Sequence, residues 1–227
     1  MRKLVLWGQH IDEYKEMFSL SDSDLQKSIL DYGSGPNAVN AELTEKGGRI
    51  VSCDPLFNLD KDTLFSKTSL IFADMAAKIK KDKDKFDFSR YGSFQLLIDE
   101  RKEGIDKFFA DFDKAKDEQR CLAVKEHNLP FADFSFDLAL SAHYLFADLD
   151  DQDVNFHLAI IKELARVAKE VRIFPLIDRH NQPSPFLGPV LLGLQAENYG
   201  VEVKEVKFHL QESDNAMLRV YAQQCQI

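Results

Sequence analysis

"ILDYGSGPN", residues 29–37, decides the fold. Its apolar start reads as a buried strand, which carries Asp31 near its end and stops at two glycines one residue apart, Gly33 and Gly35. Backbone without a Cβ can turn tightly and lie directly against another group. "NAVNAELTEKGG" (37–48) follows, with Val39 and Leu43 at helical spacing, Ala38 and Ala41 alongside, and a glycine stop. "RIVSCD" (49–54) is a second strand. Strand, glycine turn, helix and strand make a parallel βαβ unit with a right-handed crossover.

The same rhythm runs on beyond residue 119. "RCLAVKE" (120–126) reads as a third strand and "FDLALSAH" (136–143) as a fourth, buried on both faces. "NFHLAIIKELARVAK" (155–169) is a helix and "EVRIFPLID" (170–178) a fifth strand. "PFLGPVLLGLQAENYG" (185–200) is a helix with a glycine stop. "VEVKEVKFHL" (201–210) and "AMLRVYAQ" (216–223) are two more strands. The short "QESDNA" link between them predicts an antiparallel hairpin. Upstream, "IDEYKEMFSL" (11–20) suits a short amphipathic helix, and "SDSDLQ" (21–26) offers caps for another turn. The whole predicts an α/β fold, a doubly wound, mostly parallel seven-stranded sheet with an antiparallel terminal strand.

Residues 58–120 break this rhythm. They are rich in Lys and Asp, and Ile105, Phe108, Phe109 and Phe112 fall on one helical face. The segment is too long for a βαβ connection, so it reads as a helical insertion within a single domain spanning 1–227. Its phenylalanines predict a small core of its own, with a lid as the functional alternative. "KIKKDKDK" (78–85) reads as a solvated helix end or loop, the alternative being a phosphate-binding patch.

With 227 residues, 44% hydrophobic and 30% charged, the chain can bury a sizeable core and is not disordered over most of its length. A formal charge of −9 argues against nucleic acid and for a small-molecule partner. Cys53, Cys121 and Cys225 are scattered and form no CxxC pair, so they read as reduced thiols, with no metal site. "MRKLVLWGQH" (1–10) has too short an apolar run for a signal peptide, and no run reaches membrane-span length. A soluble, cytoplasmic protein is expected. Nothing in the sequence sets an oligomeric state.

Ligands of such sheets bind beyond the carboxyl ends of the strands. There, Gly33 and Gly35 let a ligand approach, and Asp54, ending the second strand, suits ribose hydroxyls. An adenosine-containing ligand follows. A dinucleotide would set its pyrophosphate at this turn, where Asp31 would repel it. S-adenosylmethionine carries a sulfonium and an amino group and no phosphate, so Asp31 favours it over NAD(P).

"ILDYGSGPN", "VSCDPLF" (51–57) and "LPFADFSFDLALSAH" (129–143) together resemble the successive motifs of class I S-adenosylmethionine-dependent methyltransferases. "ELARVAKEVRIFPL" (163–176) resembles the helix and fifth strand of that family, and the terminal strand pair its antiparallel seventh strand. The chain is also similar to a bacterial subgroup of unassigned substrate. The likeness covers residues 28–57 and 120–224.

That resemblance implies a Rossmann-like methyltransferase fold and S-adenosyl-L-methionine as cofactor. Gly33 and Gly35 would lie against its methionine part, and Asp31 would order the loop and take the amino group, directly or through water. Asp54 would hold the ribose, and Pro55 and Leu56 would lie near the adenine. Ser141 and His143 would approach the methionine and the transferred methyl. Tyr14 would cover the cofactor or pack on the core, as Phe18 would. Lys125 stands where many members have an adenine-binding acid, so Glu126 or Asn128 would take that contact. His143 and Tyr144 are the candidates for receiving the acceptor's proton, with a packed structural histidine as the alternative. Asp178, Arg179 and His180 would touch substrate or form an ordinary loop. An NAD(P)-dependent oxidoreductase and a non-catalytic S-adenosylmethionine-binding module are the competing functions.

Overall fold

The computed structural model describes residues 7–125, 127–146, 152–178, 180–211 and 213–221. Among them, seven strands form one sheet in the order β3-β2-β1-β4-β5-β7-β6. The strands are β1 (Ser28–Tyr32), β2 (Arg49–Cys53), β3 (Cys121–Leu122), β4 (Phe136–Ala142), β5 (Ala168–Phe174), β6 (Gly200–Glu205) and β7 (Ala216–Tyr221). The first five are parallel, and β7 runs antiparallel between β5 and β6. Asp31 pairs in register with Ser52 on one side and Leu140 on the other.

The helices are α1 (Ile11–Met17), α2 (Val39–Glu45), α3 (Lys61–Lys81), α4 (Phe94–Asp117), α5 (Val154–Val167) and α6 (Leu187–Ala196). The longer ones start where the sequence supplies a capping oxygen. Asp60 accepts from Thr63 N, Ser93 from Leu96 N and Asp153 from Phe156 N. Two cores flank the sheet. One joins α1, α2 and the insertion to one face through residues such as Tyr14, Phe18, Leu138 and Phe174. The other joins α5 and α6 to the opposite face through Ile160, Ile161, Leu164 and Val190.

The doubly wound sheet with its antiparallel strand is as read from the sequence, with four local differences. β3 keeps only two residues, because the chain leaves the sheet edge once Ser52 and Cys53 are paired. α5 passes directly into β5, so Ala168 and Lys169 are strand rather than helix. β6 stops at Glu205, and the hairpin link runs over 206–215 rather than six residues. Val206, Phe208 and Leu210 leave the ladder to fill the first core.

The fourth difference concerns the insertion. Phe108, Phe109 and Phe112 pack with Phe57 and Cys121 at the sheet edge, while Met75, Ile79, Tyr91 and Leu97 belong to the main core. The expected small core of phenylalanines is present, but it closes over the sheet edge through Phe57 and Cys121, and the rest of the insertion joins the main core. The charge run 78–85 is the end of α3 and a short 3-10 turn over Lys83–Lys85, as expected. Cys53 and Cys121 are buried free thiols, and Cys225 lies outside the described residues. No helix of the described residues is long and apolar enough to cross a membrane.

Candidate cofactor site

The strand order reverses between β1 and β4, so the switch point lies beyond Tyr32 and Ala142. The glycine turn stands there. Gly33 and Gly35 both adopt left-handed backbone, with φ of 65° and 56°, which explains the residue type. Their open faces are already contacted. A Cβ on Gly33 would fall 2.4 Å from the Tyr144 ring, and one on Gly35 2.1 Å from Trp7 Nε1. The bare glycines therefore admit two aromatic rings, one from each side of the turn.

Asp31 is fully buried beneath this turn. Tyr14 Oη donates to its carboxylate at 3.1 Å, and Asn37 Nδ2 and Ser52 Oγ each lie 3.5 Å away. Asn37 also donates to Ser34 O, and its Oδ1 accepts from Val39 N, so it ties the turn to α2. Burial, opposed in part by these donors, pushes Asp31 up to about 7. The negative charge of Asp54 adds to the rise. Tyr14 is thus a fully buried core residue that reaches Asp31, and its neighbour Phe18 meets its ring edge-on in the same core.

Asp54 is nearly buried and holds two backbone amides. Its carboxylate accepts from Gly35 N at 2.8 Å and from Leu56 N at 2.8 Å, so it braces the glycine turn against the 3-10 turn Pro55–Asn58. Its own pKa is raised, chiefly by burial. Pro55 and Leu56 lie half-buried on that turn. Asn128 is exposed and forms an isolated bridge with Lys125. Glu126 and Arg179 lie outside the described residues.

At the end of β4, Ser141 is fully buried and its Oγ has no partner among the described residues. Ser34 Oγ in the glycine turn is in the same state. Two orphaned hydroxyls at one switch point are unusual, because buried polar groups are normally paired. They fit a site whose ligand is polar. His143 takes left-handed backbone with φ of 57°, donates its amide to Phe174 O at 2.6 Å, and sets its ring edge-on to Phe174. A non-glycine residue in this region marks a functional site more often than a random one.

Sequence reasoning missed the segment that covers the turn. Trp7–Gly8–Gln9 runs beside Pro36 and Ala38: Gly8 N donates to Pro36 O at 3.0 Å, and Ala38 N to Gln9 O at 2.9 Å. His10 and Ile11 N both reach the carboxylate of Glu42 on α2. The insertion holds this strap from behind. Gly8 and Gly104 meet so closely that a Cβ on Gly104 would fall 2.2 Å from Gly8 O. Arg101 and Glu13, both fully buried, form a bidentate ion pair with two 2.5 Å contacts, and Tyr91 Oη donates to Glu13 at 2.6 Å. The one available signal was the chain's single tryptophan beside a glycine in "WGQH".

A cleft of about 1220 Å³ opens near the same sheet edge, lined by Ser19, Asp87, Asn181, Lys207 and His209 among others. Phe174, whose ring meets those of Phe18, Phe208 and His143, packs beside two residues next in chain to the cleft's lining residues Ser19 and His209.

No protein-family model matches this chain. An uncharacterized protein of Methanocaldococcus jannaschii is 26% identical over 96% of both chains. Among solved structures, the bifunctional kinase-methyltransferase WbdD is similar at a TM-score of 0.51 and 15% identity. The match takes in 96% of this chain and 40% of that one, so this chain spans about two fifths of WbdD. A SAM dependent methyltransferase from Aquifex aeolicus matches over 92% of both chains at 17% identity, with a TM-score of 0.43. With the sheet order, the WbdD likeness defines the class of fold, the Rossmann-like methyltransferase fold.

Proposed function

We propose that this protein is an S-adenosylmethionine-dependent methyltransferase acting on a small polar acceptor. The observation that carries the reading is Asp31, a buried carboxylate directly under a glycine turn at the switch point of this fold. Asp54 lies near it at the end of β2, so two buried carboxyls stand by the turn, and Asp31 carries its charge above about pH 7. Such a turn repels phosphate and suits a ligand with cationic groups.

In this reading the methionine end lies beside the Gly33–Gly35 turn and the Tyr144 and Trp7 rings that cover it, and Asp31 with Asn37 and Tyr14 orders the turn and favours the amino group. Asp54, Pro55 and Leu56 border the nucleoside, with Asn128 or Glu126 at the adenine rim. The bound sulfonium supplies an electrophilic methyl. The protein's part is to align an acceptor with it and to receive a proton where the acceptor carries one. His143, held on strained backbone, is the proton-receiving candidate, and Tyr144 on Gly33 shapes the same corner. The cleft beyond Phe174 is the acceptor's place, and its mixed charged lining favours a polar small molecule.

Isothermal titration with S-adenosylmethionine tests this. Saturable binding is expected, with no binding of NADH or NADPH. No heat at high S-adenosylmethionine concentration, or saturable NADH binding in its place, ends the proposal.

A further inference from the structure

Trp7 has no role in the site as described so far. Its indole nitrogen lies over Gly35, and the chain on its C-terminal side is fixed by Gly8, Gln9 and the contacts of Gly8 with α4. The ring is therefore held at the turn rather than loosely draped on it. Its N–H has no acceptor among the described residues, and it can act only as a donor. The hydroxyl of Ser34, the residue before Gly35, is buried and also lacks a partner among the described residues. Two polar groups at the turn, the half-exposed indole N–H and the buried Ser34 hydroxyl, are thus open to an outside partner.

We infer that Trp7 is a cofactor-binding residue whose indole N–H donates to the carboxylate at the amino-acid end of the ligand. The inference rests on the methyltransferase reading above. A carboxylate is the acceptor that forms the shorter, stronger bond with such a donor. Asp31 approaches the turn from beneath, where it suits the ligand's amino group and repels its carboxylate. Trp7 lies on the Cα side of Gly35 that a Cβ would fill, so in this reading the two ends of the zwitterion find opposite partners at one turn. The ring also keeps water off that bond, which strengthens it.

Trp7 is the chain's one tryptophan, so intrinsic emission reports this position alone. The titrants are S-adenosylhomocysteine and 5′-methylthioadenosine, which lacks the amino-acid end. S-adenosylhomocysteine should shift the emission with the same midpoint as calorimetry, and 5′-methylthioadenosine should bind without that shift. Trp7→Phe keeps a ring and removes the donor. It should weaken S-adenosylhomocysteine about tenfold, the usual scale for a hydrogen bond to a charged group, and leave 5′-methylthioadenosine unchanged. The second ligand also shows that the variant is folded. Equal affinity of variant and wild type for S-adenosylhomocysteine, or an equal loss for both ligands, overturns the inference while leaving the methyltransferase reading intact. Failure of the wild type to bind either nucleoside in the calorimeter overturns the reading beneath it.

Discussion

At the scale of the residue, Asp31 sets the electrostatics of the turn. An unfolded aspartate titrates near 3.8, and in the native protein burial moves Asp31 to about 7. Below about pH 4 both states hold the proton. Between 4 and 7 the native state keeps a proton that the unfolded chain has released, so stability falls as pH rises, and above 7 the loss is constant. Wild-type thermal midpoints should therefore drop from pH 5 to pH 8. Asp31→Asn should drop less, with the remaining fall due in part to Asp54, whose pKa burial also raises. A cationic ligand prefers the ionised carboxylate, so S-adenosylmethionine should bind more tightly at pH 8 than at pH 6. Equal pH slopes for wild type and Asp31→Asn, in melting and in calorimetry, would remove Asp31 from this role. His143 belongs to this scale too. His143→Ala should lower kcat by about a hundredfold if the imidazole receives the proton, with little change in cofactor affinity. A methyl-transfer assay that shows unchanged kcat reduces it to the packing partner of Phe174.

At the scale of the element, the strap and the insertion act as one unit. Glu13 on α1 and Arg101 on α4 are both without exposure, and Tyr91 completes the contact. Arg101→Met leaves a buried carboxylate unpaired and should cost about 3–5 kcal/mol in urea unfolding. The double variant Arg101→Met, Glu13→Gln should recover part of that loss. If the two variants are equally stable, the cost is one of volume and not of charge. This pair was not legible in the sequence, because Glu13 and Arg101 sit 88 residues apart and read as ordinary solvated charges on amphipathic helices. What was legible depended on local pattern. β1, β2 and β4 are short apolar runs bounded by turn residues, and their ends were placed within a residue or two. β3 was read too long because its pairing is decided by Ser52 and Cys53 on the neighbouring strand. The hairpin was drawn too tight because Val206, Phe208 and Leu210 look like strand but serve the core. Around the candidate turn, the sequence placed Asp31, Gly33, Gly35 and Asp54 at the strand ends where they stand, whereas Trp7 and Ser52 are brought to it by tertiary folding alone.

At the scale of the whole molecule, the candidate site gathers residues from most of the chain. Trp7, Asp31, Gly35, Asp54 and Ser141 come from the strap, β1 and its turn, the end of β2 and the end of β4. Bracing runs between these pieces: Asp54 holds Gly35, Tyr14 holds Asp31, and Arg101 of the insertion holds the helix that carries Tyr14. A ligand that binds only when all of them are in place is linked to global unfolding and not to the opening of one loop. At a concentration one hundred times its Kd, such a ligand adds about 2.7 kcal/mol. For a chain of this length each kcal/mol moves the thermal midpoint by about 2–4 °C, so S-adenosylhomocysteine should raise it by roughly 5–10 °C. NADH at the same concentration should leave it unchanged, since the acidic turn repels its pyrophosphate. Arg101→Met should lower the midpoint of the free protein and, by loosening the strap, also shrink the ligand-induced rise. A full-size rise in that variant would show that the insertion stabilises the fold without reaching the site.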